Sequence, residues 1–170
     1  MKFSNPLKTA LLSSFLGFIV LGLASTSAVA QTNPATTTFN VTATVLKDCI
    51  VSATALPFGN YTGAAVNVSS TVTVTCTSGT TYTVGLNQGL TTGATVTTRQ
   101  MGITQPAGGL NYSLLTTSYT GANWGNTSGS WVNGTGNGSA QPLTVYGVLP
   151  AGQYVPPGSY TDTITATVTY

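Results

Sequence analysis

The sequence contains no histidine and no glutamate, and charged residues make up only 4% of its 170 positions, against roughly 25% in an ordinary soluble domain. Without His or Glu, and with Asp48 and Asp162 as the only carboxylate side chains, the usual general acids and bases are missing. Two cysteines and no histidine do not make a zinc or haem site, so neither a metal nor a cofactor is expected. Lys2 and Lys8 account for the formal charge of +2, and the remaining Lys47 and Arg99 balance the two aspartates. Such a chain has no basic surface to neutralise phosphates, which argues against a nucleic-acid partner. An enzyme acting on a small-molecule substrate is the least favoured class.

The first thirty residues read as a secretory signal peptide. Lys2 and Lys8 give a positive start, Ala10 to Ala24 an apolar run, and Ala28-Val29-Ala30 a small-residue cleavage site before Gln31. That run is 15 residues long and interrupted by Ser13, Ser14 and Gly17, short for the roughly 20 residues of a membrane span. Export leaves 140 residues, the length of one domain, in an oxidising compartment. There a disulfide between Cys49 and Cys76, the only two cysteines, is the default over two free thiols. It would stabilise by about 3–4 kcal/mol through loop closure.

Threonine supplies 32 of those 140 residues, and its branched Cβ suits a pleated strand. No segment keeps helical spacing, whereas several alternate strictly. The clearest are Phe39, Val41, Ala43 and Val45; Val72, Val74 and Cys76; and Ile164, Ala166, Val168 and Tyr170. Weaker strands are expected over Ile50–Ala53, Tyr82–Leu86, Thr95–Thr98, Leu110–Leu115 and Leu143–Leu149. Turn signals such as Ser78-Gly79 and Pro156-Pro157-Gly158 separate them. The spacing implies an all-β sandwich. Thr120 to Gln141 is nearly all Gly, Asn, Ser and Thr around Trp124 and Trp131, and reads as an exposed loop or two short edge strands. The two tryptophans either stack on sugar rings as a surface-binding site or pin a loop or interface, with pinning the commoner role. Both aspartates are expected to bond nearby backbone. Arg99 is expected either to pair with a neighbour's backbone or to be solvated, solvation being the commoner state.

The alternation of Phe39 to Val45 precedes the first cysteine and has two explanations. The strand either completes its own sheet or enters another copy's sheet, where main-chain bonds give affinity and alternate pockets give register. Four buried side chains would contribute about 6–12 kcal/mol before ordering costs. Pattern leaves both open.

Several motifs carry a family resemblance. They are Cys49-Ile50-Val51-Ser52-Ala53 followed by Leu56-Pro57-Phe58-Gly59-Asn60-Tyr61, then Val72 to Thr77, Tyr82 to Leu86, Val145 to Gln153, and the ending Gly158 to Tyr170. In this order they resemble the spore coat protein U domain family, whose members include subunits of archaic, Csu-type chaperone–usher pili; the resemblance covers about residues 39 to 170. It implies an immunoglobulin-like antiparallel β-sandwich lacking its final strand. It divides the chain into a signal peptide (1–30), an N-terminal donor strand (31–46) and a pilin domain (47–170). It casts Phe39, Val41, Ala43 and Val45 as donor residues, and Ile164, Ala166, Val168 and Tyr170 as a wall of the acceptor groove opposite the strand near Cys49. The implied partners are neighbouring pilin subunits, a periplasmic chaperone that would anchor the Tyr170 carboxylate, and an outer-membrane usher. One domain with a donor-like strand resembles a rod or adaptor subunit.

Overall fold

A computed structural model describes residues 33–103 and 108–170. The expected leader, Met1 to Ala30, lies outside the described residues. The chain divides into two units, Met1–Thr42 and Ala43–Tyr170. In the first, residues 33–42 are exposed and form no strand; the second carries the strands.

Eight strands build it: β1 (Cys49–Ala53), β2 (Val66–Cys76), β3 (Thr81–Leu86), β4 (Arg99–Ile103), β5 (Gly108–Leu115), β6 (Val132–Thr135), β7 (Gln141–Leu149) and β8 (Ala166–Thr169). No helix occurs among the described residues. One sheet runs β1-β2-β7-β5-β4 and the other β6-β3-β8, and every strand pair is antiparallel. This is the expected immunoglobulin-like sandwich. Alternation sets the faces, because successive side chains of a strand point to opposite sides. Val72 and Val74 of β2, Val145 and Leu149 of β7, and Leu110, Tyr112 and Leu114 of β5 point inward against Tyr82, Val84 and Leu86 of β3. Threonines 71, 73 and 75 occupy the other face of β2 and are half-buried. The Cys49–Cys76 disulfide forms as expected and joins β1 to β2.

Two local expectations change, and one open alternative is decided. Thr95–Thr98 is a turn, not a strand: the Thr95 hydroxyl bonds the backbone N–H groups of Thr97 and Thr98, and the ladder starts only at Arg99. Hydroxyl side chains so close to the backbone compete with sheet pairing. Arg99 is not solvated but fully buried, at 0% exposure. Trp124 is 1% exposed, and its indole N–H donates to the Val84 carbonyl at 2.8 Å. Of its two expected roles it takes the pinning one, since no ring face is left for a surface ligand. Around it the polar stretch is tied down rather than looped out, through the Leu115–Asn123 bridge, the Trp124 N–H on the Leu114 carbonyl, and β6.

Candidate functional site

Two strands have a free edge on the same side of the sandwich. β1 ends the larger sheet and β8 the smaller, and the two lie beside each other. Residues directly opposite across an antiparallel pair share a face. Val51 pairs with Val74 and Ala53 with Val72, so both point toward the interior. Yet Val51 is 36% exposed while Val74 is 0% exposed. β8 repeats the situation. Val168 pairs with Val84 and Ala166 with Leu86, both fully inside, but Val168 and Ala166 are only half-buried. The inward faces of both edge strands therefore lack a covering strand.

A cleft of about 1080 Å³ opens at the Ala53 end of β1 and the Ala166 end of β8. Its floor is the core itself, with Val72, Leu86, Leu114, Val145 and Leu149 showing at the bottom. One wall runs from Ala53 through Leu56 and Phe58, the other from Tyr160 to Ala166. Gly147 of β7 makes room for the first wall, since a Cβ there would come within 2.7 Å of the Leu56 side chain. The second wall is placed by a change of sheet. Thr161 pairs with Gly102 of β4, and five residues later the chain pairs with β3. The Asn87 side chain receives the Thr165 N–H at 2.9 Å, and Asn87 N–H donates to the Thr165 carbonyl at 3.1 Å. The mouth is fastened by Tyr61, whose hydroxyl donates to the Pro150 carbonyl at 2.7 Å and accepts the Gln153 N–H at 3.1 Å.

Asp162 is the one charged side chain among the described residues that line this cleft. Asp162 accepts the Leu90 and Thr163 N–H groups at 2.8 Å each and the Tyr112 hydroxyl at 2.6 Å. It is the backbone-bonded residue expected. Burial and the bond to Asp162 together push the Tyr112 phenol far above its ordinary range. Gly89, at φ +92°, is where the chain passes closest to this carboxylate, and only a residue without Cβ fits. Asp48, the other aspartate, accepts the Tyr170 hydroxyl at 3.3 Å at the far end of β1 and β8.

Ile164, Ala166 and Val168 all pack half-buried against the core, and Tyr170 is 51% exposed. Ile164 and Ala166 line the cleft, while Tyr170 lies beyond it, beside Trp131 on a separate shallow hollow with Thr83 and Asn133. Phe39 and Val41 are more than four-fifths exposed, and Val45 is 79% exposed. Ala43 is likewise exposed, and none of residues 33–48 forms a strand. Sequence reasoning did not single out Leu56, Phe58 or Tyr61 as cleft residues. The Pro57 and Gly59 around them signal a turn, and their inward packing depends on the gap left by Gly147.

An antiparallel immunoglobulin-like sandwich with an open edge on each sheet and a cleft between them defines the pilin type of β-sandwich. Residues 35–167 match the Spore Coat Protein U domain, and the chain belongs to that family. It is 35% identical to Protein U of Myxococcus xanthus over 184 aligned residues, covering 98% of this chain and 99% of that protein. Among solved structures it is similar, with a TM-score of 0.58 and 23% identity, to a chain of the CsuC–CsuE complex, a chaperone–tip adhesion subunit pre-assembly complex from the archaic chaperone–usher Csu pili of Acinetobacter baumannii. That likeness covers 75% of this chain, which spans 41% of the solved chain.

Proposed function

We propose that the protein is a structural subunit of a chaperone–usher type surface fibre, polymerised by donor-strand exchange. Residues 1–30 direct export, 31–46 carry the donor strand, and 47–170 form the acceptor body. Phe39, Val41, Ala43 and Val45 of one copy enter the cleft of the next, between β1 and the wall formed by Ile164 and Ala166, and continue over the half-covered Val168. Before that, a periplasmic chaperone covers the same cleft and delivers the subunit to an outer-membrane usher. The observation that carries this reading is the pair of half-covered inward faces on β1 and β8 over a cleft floored by the core. An exposed alternating segment in the same chain supports it. Strand edges and apolar side chains left open in this way are an aggregation hazard that a chaperone relieves.

Deleting residues 31–46 tests the reading. Intact protein is expected to run unboiled as a ladder of oligomers that collapses on heating. The truncated protein is expected to be captured by its chaperone and to form no ladder; fibres from the truncated chain would refute donor-strand exchange. A second reading is favoured by the end-to-end match to Protein U, namely a coat or matrix protein whose own N-terminal strand closes the sheet. It predicts a heat-stable monomer without any chaperone.

A further inference from the structure

Self-closure and exchange compete for the same cleft, and the spacing of the chain permits both. Only Leu46, Lys47 and Asp48 separate the alternating segment from β1. A reversal within these three residues would fold the segment back as a hairpin on the free edge of β1. Val45 would then oppose Cys49, Ala43 would oppose Val51, and Val41 would oppose Ala53, the alternating side chains facing the protein's own cleft.

In the structure these three residues do not turn. They run on beyond Cys49, and Thr77, the residue after β2, holds them extended. Its hydroxyl accepts the Asp48 N–H at 3.2 Å and donates to the Leu46 carbonyl at 3.2 Å, and its own N–H donates to the Asp48 carbonyl at 2.9 Å. The disulfide one residue further on fixes Cys49 against Cys76. The Tyr170 hydroxyl holds the Asp48 carboxylate from the other sheet. The cleft begins at Ala53, at the opposite end of β1. The chain also lacks the glycine that a three-residue hairpin loop favours at its left-handed position.

We infer that Thr77 is a positioning residue that keeps Leu46–Asp48 in line with β1 and so opposes the reversal that would fold the N-terminal segment back as a hairpin on its own body, leaving that segment available to another copy. This assignment rests on the donor-strand reading. It makes the Thr77 hydroxyl the switch between polymer and self-closed monomer.

The test uses the full exported chain and reads the ratio of heat-stable monomer to oligomer ladder on unboiled gels and by size exclusion. Thr77→Val keeps the shape and removes both hydroxyl bonds. It is expected to raise that ratio about thirtyfold, the factor that two neutral hydrogen bonds are worth. Thr77→Ser should restore the wild-type ratio. A second variant, Lys47→Asn with Asp48→Gly, leaves Thr77 in place and supplies hairpin-turn residues; it should shift the ratio the same way, and it carries the test if Thr77→Val does not fold. A role for Thr77 in stability alone would make the monomer less heat-stable, whereas self-closure makes it more so. An unchanged ratio in both variants overturns the assignment, as does a Thr77→Ser protein that behaves like Thr77→Val. If the ladder survives deletion of residues 31–46, the donor-strand reading itself falls; if it depends on them while the ratio stays fixed, only the role of Thr77 does.

Discussion

The guanidinium of Arg99 is enclosed, yet its bonds all run to backbone oxygen. It donates to the carbonyls of Asn87 at 2.9 Å, Val96 at 2.9 Å, Leu86 at 3.0 Å and Trp124 at 2.7 Å. Burial lowers its pKa, and the Tyr112 and Asp162 groups nearby oppose that shift. One planar fork thus fastens the end of β3, the start of β4 and the Trp124 segment, which an ammonium cannot do. Arg99→Met leaves the buried carbonyls of Leu86 and Trp124 bare and should cost about 2–6 kcal/mol, and Arg99→Lys a smaller loss in the same direction. Urea denaturation followed by tryptophan fluorescence reads both. Tyr112 makes a separate prediction. Its phenol holds its proton more tightly in the folded protein than in the unfolded chain, because of burial and the bond to Asp162. Stability is therefore full below the ordinary tyrosine pKa and falls as pH rises above about 10. The decline should be shallower in Tyr112→Phe, measured as unfolding midpoint against pH.

Among the elements, the second half of β2 was legible from Val72, Val74 and Cys76, since the opposite sheet buries one face of the strand and leaves the other half-covered; its first residues, from Val66, were not. Phe39 to Val45 has equally clean alternation but forms no strand, because alternation records a preference and a strand also needs a partner. The Trp124 segment shows the reverse. Nothing in its Gly, Asn and Ser-rich composition signals burial, yet the indole fills the core beside Val84. Its position depends on Val84 and Arg99, both distant in sequence. Trp124→Ala is expected to lose about 3–5 kcal/mol of stability, as large core truncations do. Trp131→Ala, at the half-buried position on the shallow hollow, should cost clearly less in the same denaturation experiment.

For the molecule as a whole, the unfinished core is the dominant property. An apolar cleft of about 1080 Å³ should bind the dye ANS, and a synthetic peptide of residues 37–46 should displace it and raise the melting temperature of the body lacking its own segment. A peptide with the apolar residues moved by one position should do neither, because a one-residue slip turns every side chain to the wrong face. Equal binding of both peptides would show that the cleft accepts apolar surface without register.

Local pattern was enough for the class of fold, for the covalent link between Cys49 and Cys76, and for which face of β2 and β8 is apolar. These follow from local pattern, composition and cysteine count, which the chain carries wherever it folds. Tertiary structure alone decided that Arg99 and Trp124 are buried, that Leu56 and Phe58 wall the cleft, and that Leu46–Asp48 run straight past Thr77. Each of these depends on contacts between residues far apart in the chain, such as carbonyls gathered around one guanidinium or the space above Gly147, and one-dimensional periodicity holds no record of them.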